Sequence, residues 1–352
     1  MKFSIGIPTY NRGPFLEKNL KGIAKQIRDN NLNKEVEINI SNNGSTDDTE
    51  VIISSFIEQN SDLCVSCNKF LVNEGPDKNY IATMQMAHGE YSILLGDDDY
   101  IVEGGLLKIL QLIEKYKDID VFLSNRTEID ESGNIIGYRS FLHQDITSRK
   151  FDFGDDNQAG FYFSLCDEVG GCLTFISSII YKTQIMEEMG PYNHCLDGTF
   201  YSFWFYLWGK LSKGGKLYYL SDSYILNTQA YNNNFGQGLK RSLVEFEGFQ
   251  KAAELFFYNK SYKKCFLDVP RRWKRMSDLL NECIQDEDSC KKRLMPVLRR
   301  GDSKAYTDDI ELFLSWRYHY DCFRKLFKPR YKFIMKLFSI ERRILLHLQI
   351  KE

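Results

Sequence analysis

The chain predicts an α/β architecture, a mostly parallel sheet flanked by helices, followed by a helical C-terminal extension. Three observations carry that expectation. Across the first 130 residues, apolar runs of strand length alternate with stretches of helical period. Three of those runs end in polar clusters, at the position where parallel sheets bind their ligands. From about Leu239 the periodicity is helical to the end.

Each element has its own warrant. Phe3-Ser4-Ile5-Gly6-Ile7-Pro8 reads as a first strand halted by proline. Phe15, Leu16, Leu20, Ile23 and Ile27 recur at helical spacing, and Pro14 suits a first helical turn. Val36, Ile38 and Ile40 alternate as a second strand. The turn Ser41-Asn42-Asn43-Gly44 follows, and Ser45-Thr46-Asp47-Asp48 supplies capping residues for a helix to about Gln59. A second turn, Asn73-Glu74-Gly75-Pro76-Asp77, feeds a helix ending near Gly89. The apolar run from Tyr91 to Leu95 comes next, then a helix from about Gly105 to Tyr116, then the strand Val121-Phe122-Leu123-Ser124. Right-handed crossovers bring Thr9-Tyr10-Asn11-Arg12, Ser41-Asn42-Asn43-Gly44 and Asp97-Asp98-Asp99 to one edge of such a sheet. Residues 131–235 are richer in aromatics and glycine. There Gly170-Gly171 to Ile176 reads as a loop entering a buried strand, and Leu217-Tyr218-Tyr219-Leu220 as another strand. The predicted divisions are 1–130, 131–238 and 239–352.

Composition narrows the class. The 352 residues are 43% hydrophobic and 27% charged, ordinary for a globular protein, and a net charge of −2 gives no general attraction for nucleic acid. Nine scattered cysteines form no paired framework, and Cys64 and Cys67 lack two further zinc ligands at matching spacing. The N-terminus has no signal-peptide pattern and no run of 18 apolar residues occurs, so a cytoplasmic location is expected.

The chemistry centres on Asp97-Asp98-Asp99. Adjacent carboxylates at the end of a buried strand repel one another at neutral pH. One of them would serve as a helix cap, but three call for a positive partner. A divalent cation carrying phosphate oxygens, Mg2+ or Mn2+, meets that need.

Three segments then show a resemblance. Ser4-Ile5-Gly6-Ile7-Pro8-Thr9-Tyr10-Asn11-Arg12, Ser41-Asn42-Asn43-Gly44-Ser45-Thr46-Asp47-Asp48-Thr49 and Gly89-Glu90-Tyr91 through Gly96-Asp97-Asp98-Asp99 resemble family 2 glycosyltransferases of the GT-A fold. Asn73 to Tyr80 resembles the branch with abequosyltransferase-like enzymes of surface polysaccharide synthesis. The likeness covers roughly residues 1–125. It implies a nucleotide-sugar-binding half at 1–130 and an acceptor-binding, catalytic-base half at 131–238. By position it places Pro8, Thr9, Tyr10, Arg12, Asn42 and Asp97 at the nucleotide, with Asp97 on the ribose, and Asp98 and Asp99 at the metal. Asn42 stands where the family usually has an aspartate. Its amide can face uracil, thymine or cytosine, so UDP-, dTDP- and CDP-sugars all remain open as donors.

The resemblance further implies inversion at the anomeric carbon and a general base in the second half. Asp197, in Asn193-His194-Cys195-Leu196-Asp197-Gly198, is the candidate, with Asp167 and Glu168 as alternatives. Its bland reading is a turn aspartate beside Gly198. The acceptor is expected to be a hydroxyl of a glycan or lipid-linked glycan. Between Arg324 and Glu352 nine Lys and Arg accompany an apolar stripe of Phe333, Leu337, Ile340, Ile344 and Leu348. Such a helix lies on the inner face of an anionic membrane, docks on its own catalytic domain, or pairs with a second subunit. Two rival readings stand beside the transferase: a sugar nucleotidyltransferase, and a non-catalytic carbohydrate-binding or scaffold protein on the same fold.

Overall fold

A computed structural model of the chain describes residues 1–229, 238–300 and 310. Ten strands form one sheet: β1 (Phe3–Thr9), β2 (Val36–Asn42), β3 (Cys64–Lys69), β4 (Tyr91–Leu94), β5 (Asp99–Ile101), β6 (Val121–Ile129), β7 (Ile135–Arg139), β8 (Arg149–Asp152), β9 (Ile179–Lys182) and β10 (Lys216–Thr228). Their order is β3-β2-β1-β4-β9-β6-β10-β5, with β7 on β6 and β8 on β10. β1, β2, β3 and β4 are parallel, as are β6 and β10. β9 runs antiparallel between β4 and β6, and β5 runs antiparallel to β10. The ends of β1, β2, β4, β6 and β10 therefore share one edge with the start of β5.

Helices cover the sheet because their apolar positions fall on one side. In α1 (Gly13–Asp29) Leu16, Leu20, Ile23 and Ile27 are buried, and Pro14 sits in the first turn. In α4 (Gly105–Lys115), the next long amphipathic helix after α2 (Thr49–Gln59) and α3 (Pro76–Gln85), Leu106, Ile109, Leu110 and Ile113 do the same. Each such side chain taken out of water stabilises the fold by roughly 1.5–3 kcal/mol before entropy is counted.

The predicted α/β class holds, and the departures have physical reasons. β3 was not foreseen because Cys64-Val65-Ser66-Cys67-Asn68-Lys69 lacks a buried face; it is an edge strand with four exposed residues. The strand expected within Gly170–Ile176 lies a few residues later, at β9. The glycines instead form the single turn Val169–Cys172, followed by another at Ile176–Ser178.

Two compact units can be distinguished. The first contains the described residues up to 229 together with Ala252–Val269. Besides its sheet it holds α5 (Asp156–Leu165), α6 (Ile185–Met189) and α7 (Trp204–Ser212). Trp204, Tyr206 and Trp208 of α7 are fully buried, and Phe163 packs edge-on against Phe257 and Phe266. The second unit contains residues 238–251 and the described residues from Pro270 onward, around Leu243, Phe246, Leu279, Leu294 and Leu298. The basic stripe predicted between Arg324 and Glu352 lies outside the described residues. Among those described, no helix is long and apolar enough to cross a membrane.

Candidate active site

The carboxylates stand just past the end of β4, and residues of β1, α1, β10 and the Ile176–Ser178 turn fix them. From β1, the Thr9 hydroxyl donates to Asp97 Oδ2 at 2.8 Å. From the start of α1, Arg12 Nη1 donates to Asp98 Oδ2 at 2.7 Å. From inside α1, Asn19 Nδ2 donates to the carbonyls of Gly96 and Asp99 at 2.9 and 2.7 Å. Asp99 turns the other way: Asn227 Nδ2 of β10 donates to its Oδ1 at 2.7 Å, and the Ser177 hydroxyl donates to its Oδ2. The three aspartates thus do three things. Asp97 and Asp99 are buried, while Asp98 shares solvent access with Arg12.

Burial sets the electrostatics. It pushes Asp97 up to about 7, with the Asp98 charge adding to the rise and the Thr9 hydroxyl opposing it. Asp99 is moved upward by the same two causes, opposed by Asn227 and Ser177. Among the described residues, no three or more His, Cys, Asp or Glu side chains gather as a ready-made metal cage. One accessible carboxylate fits a hard cation that arrives with phosphate oxygens to complete its shell. Among the three aspartates Asp98 is the accessible one, and a guanidinium such as that of Arg12, now paired with it, can bind phosphate.

Of the residues expected at the nucleotide, Pro8, Thr9, Arg12, Asn42 and Asp97 lie at one edge of the sheet. Pro8 and Thr9 end β1 beside Ser41 and Asn42 of β2. Tyr10 is exposed, and Asn11, at φ 52°, accepts from the Thr46 N–H at 2.8 Å while its own N–H donates to Ser45 Oγ. Asn42 is fully buried. Its Oδ1 accepts the Ser45 N–H at 3.0 Å and its Nδ2 donates to Glu50 Oε2 at 2.7 Å. Flipping that amide would set NH2 against N–H and oxygen against carboxylate, so its orientation is fixed.

The three base candidates lie in different settings. Asp197 is half-exposed: the Tyr192 hydroxyl donates to Oδ1 at 2.9 Å and His194 Nδ1 lies 3.1 Å from Oδ2. Burial and then the Asp197 carboxylate push the Tyr192 phenol upward, so it stays a donor. Asp167 pairs with His143 at 2.9 Å. Glu168 lies 3.4 Å from Arg139, and burial raises its pKa against the pull of Arg126 and Arg139.

Sequence reading missed the residues that hold this site. Asn19 was not singled out, and Asp77 was read only as part of the turn that feeds a helix. Asp77 accepts N–H groups from Gly198, Phe200 and Ser202 instead. Ser177 and Asn227 carried no signal at all.

A sheet of this order with acidic residues at the end of β4 defines the GT-A class of nucleotide-sugar enzymes, and solved structures share the fold. Staphylococcus aureus TarS residues 1–349, in complex with UDP-GlcNAc, superposes with a TM-score of 0.57 at 18% identity, over 86% of this chain and 80% of that one. A mannosyltransferase from Pyrobaculum calidifontis, in complex with GDP-Man and Mn2+, gives 0.51 at 13% identity over 90% and 87%. At those identities the likeness speaks for fold alone. The sequence profile of Glycosyl transferase family 2 matches residues 4–182, about half the chain, and the protein belongs to that family of glycosyltransferases. Abequosyltransferase RfbV of Salmonella typhimurium is 30% identical over 278 residues, 76% of this chain and 80% of its own. A Campylobacter jejuni GalNAc(5)-diNAcBac-PP-undecaprenol beta-1,3-glucosyltransferase is 28% identical over 170 residues, covering 47% and 51%.

Proposed function

We propose that the protein is an inverting, divalent-cation-dependent glycosyltransferase. It moves a sugar from a nucleoside-diphosphate donor to a hydroxyl of a glycan or lipid-linked glycan in bacterial surface polysaccharide synthesis. The observation that supports this most is the joining of β1, α1 and β4 ends through Thr9–Asp97 and Arg12–Asp98. That arrangement offers one accessible carboxylate and one guanidinium to a diphosphate, on a floor of buried acids. Asp98 would hold Mg2+ or Mn2+, and Arg12, released from Asp98, would take a phosphate oxygen. When bound, the cation offsets the charge that builds on the departing diphosphate. The name of the Campylobacter relative, which contains an undecaprenol-linked glycan, supports the acceptor class.

The reaction at the sugar follows from where the proton goes. The acceptor hydroxyl oxygen forms its bond to the anomeric carbon as the bond to the diphosphate oxygen breaks on the opposite face. Asp197 takes the hydroxyl proton, with Tyr192 and His194 holding its carboxylate in one orientation.

A thermal-shift screen of UDP, CDP, dTDP and GDP with and without Mn2+ tests the proposal. One nucleotide is expected to raise the melting temperature in a Mn2+-dependent way, and Asp98→Ala to abolish that dependence while leaving the ligand-free protein folded. An Asp98→Ala protein with the full Mn2+-dependent shift would remove the residue from the metal role.

A further inference from the structure

The turn that carries Asp197 is held from outside its own segment. Gly198 donates its N–H to Asp77 Oδ2 at 2.9 Å, Phe200 donates to the same oxygen at 3.2 Å, and Ser202 donates to Oδ1 at 3.1 Å. The Ser202 hydroxyl donates back to the Asp77 carbonyl at 3.0 Å. An aspartate in the first turn of a helix ordinarily faces that helix's own N–H groups. Asp77, in the first turn of α3, spends both carboxylate oxygens on a segment more than a hundred residues away, and is buried while doing so.

The same turn has an unusual backbone. His194 at φ 61° and Phe200 at φ 63° are left-handed without being glycine, and Gly198 at φ 78° lies between them. Bulky residues hold that conformation only where surrounding structure imposes it. The three N–H bonds to Asp77 impose it on the side following Asp197. α3 also reaches the nucleotide side: Asn79 Nδ2 approaches the Thr9 carbonyl at 3.5 Å, and Thr9 carries Asp97 through its hydroxyl. Tyr80 of α3 packs edge-on against Phe203, 5.8 Å between ring centroids.

We propose that Asp77 is a positioning residue for catalysis, fixing the 194–202 turn so that Asp197 is aimed at the acceptor hydroxyl. The inference rests on the base assignment above. Asp77 is buried and acts through the backbone of the turn.

The test uses the full chain and its Asp77→Asn variant. Hydrogen exchange reads the turn directly, without any substrate. The amides that lose their acceptor, Ser202 or the Gly198 and Phe200 pair according to which way the new amide turns, are expected to exchange roughly tenfold faster in the variant, about the factor that one lost hydrogen bond supplies. Those of β4 should be unchanged. Equal exchange in the turn would overturn the proposal. Turnover reads the consequence, with UDP-, dTDP- and CDP-glucose as donors and octyl β-D-glucoside as acceptor. Transfer kcat is expected to fall about 10- to 100-fold while donor KM stays within about twofold. Donor hydrolysis without acceptor should persist. A loss shared equally by kcat, donor KM and hydrolysis would mean general damage and would overturn it too. Asp197→Asn separates the two readings: normal transfer by that variant sinks the base assignment, whereas normal transfer by Asp77→Asn sinks the positioning role alone. If Asp77→Asn does not accumulate as folded protein, Asp77→Glu keeps the charge but displaces the carboxylate. It should show the same split in milder form, and a proportional loss there counts against the proposal.

Discussion

Asn42 shows how one side chain can be committed before any ligand arrives. Its oxygen is taken by the Ser45 N–H and its nitrogen lies 2.7 Å from the Glu50 carboxylate. An aspartate at this position, the residue that the family resemblance leads one to expect, would face Glu50 as a second acid. Asn42→Asp is therefore expected to destabilise the protein by about 1–3 kcal/mol, through one lost hydrogen bond and one new repulsion. Adding Glu50→Gln should recover most of the loss, since the new amide can donate to the new carboxylate. Chemical denaturation of the two single variants and the double variant reads this coupling; additive losses would show that the two side chains do not communicate. At this scale the sequence was a partial guide. Thr9, Arg12, Asn42 and Asp97 to Asp99 were singled out because each lies at or just past the end of a strand, where local pattern and chemistry coincide. Asp77 and Ser177 were not, because what defines them is a partner about 80 to 125 residues away.

Among the elements, α1 does more than cover the sheet. Its Asn19 amide reaches the carbonyls of Gly96 and Asp99, so the helix clips the turn that presents the carboxylates. Asn19→Ala leaves two carbonyls in a buried setting without that donor, and should cost about 1–3 kcal/mol. The same variant should lose most of the nucleotide-dependent thermal shift although Asn19 itself is buried. Retention of the full shift in a destabilised protein would show that the turn holds its shape unaided. Helical spacing made α1 and α4 legible, because apolar period alone identifies them. β3 and β9 were not legible in the same way. One is an edge strand without an apolar face, and the other is four residues long and defined by what lies on either side.

The whole molecule answers to pH through its buried acids. Asp97, Asp99, Asp77 and Glu168 have raised pKa values, with burial the leading cause in each. A raised carboxyl binds its proton in the folded state before it would in the unfolded chain. Its contribution is complete below the unfolded value, near 4, and is lost as pH rises through the folded value, about 7 for Asp97. Surface acids act in the opposite sense at lower pH. Arg28 holds Asp62 below its usual range, and Lys150 and Lys216 do so for Asp118, so acid removes their contribution below about 4. The ligand-free protein should therefore melt highest near pH 5 and lose stability toward pH 7.5, by calorimetry at constant ionic strength. Asp97→Asn should flatten that slope, and a melting temperature rising from pH 5 to 7.5 would contradict the burial account.

β9 has a consequence for how the chain is made. The strand fills the gap between β4 and β6, yet it leaves the ribosome long after β1, β2 and β4 have emerged. Until Lys182 is available, the nascent polypeptide carries a half-built sheet whose β4 flank has free amides and carbonyls, the kind of edge that recruits strands from other chains. Completion of that flank closes one such edge, and the far side of β6 stays open until β10 has followed.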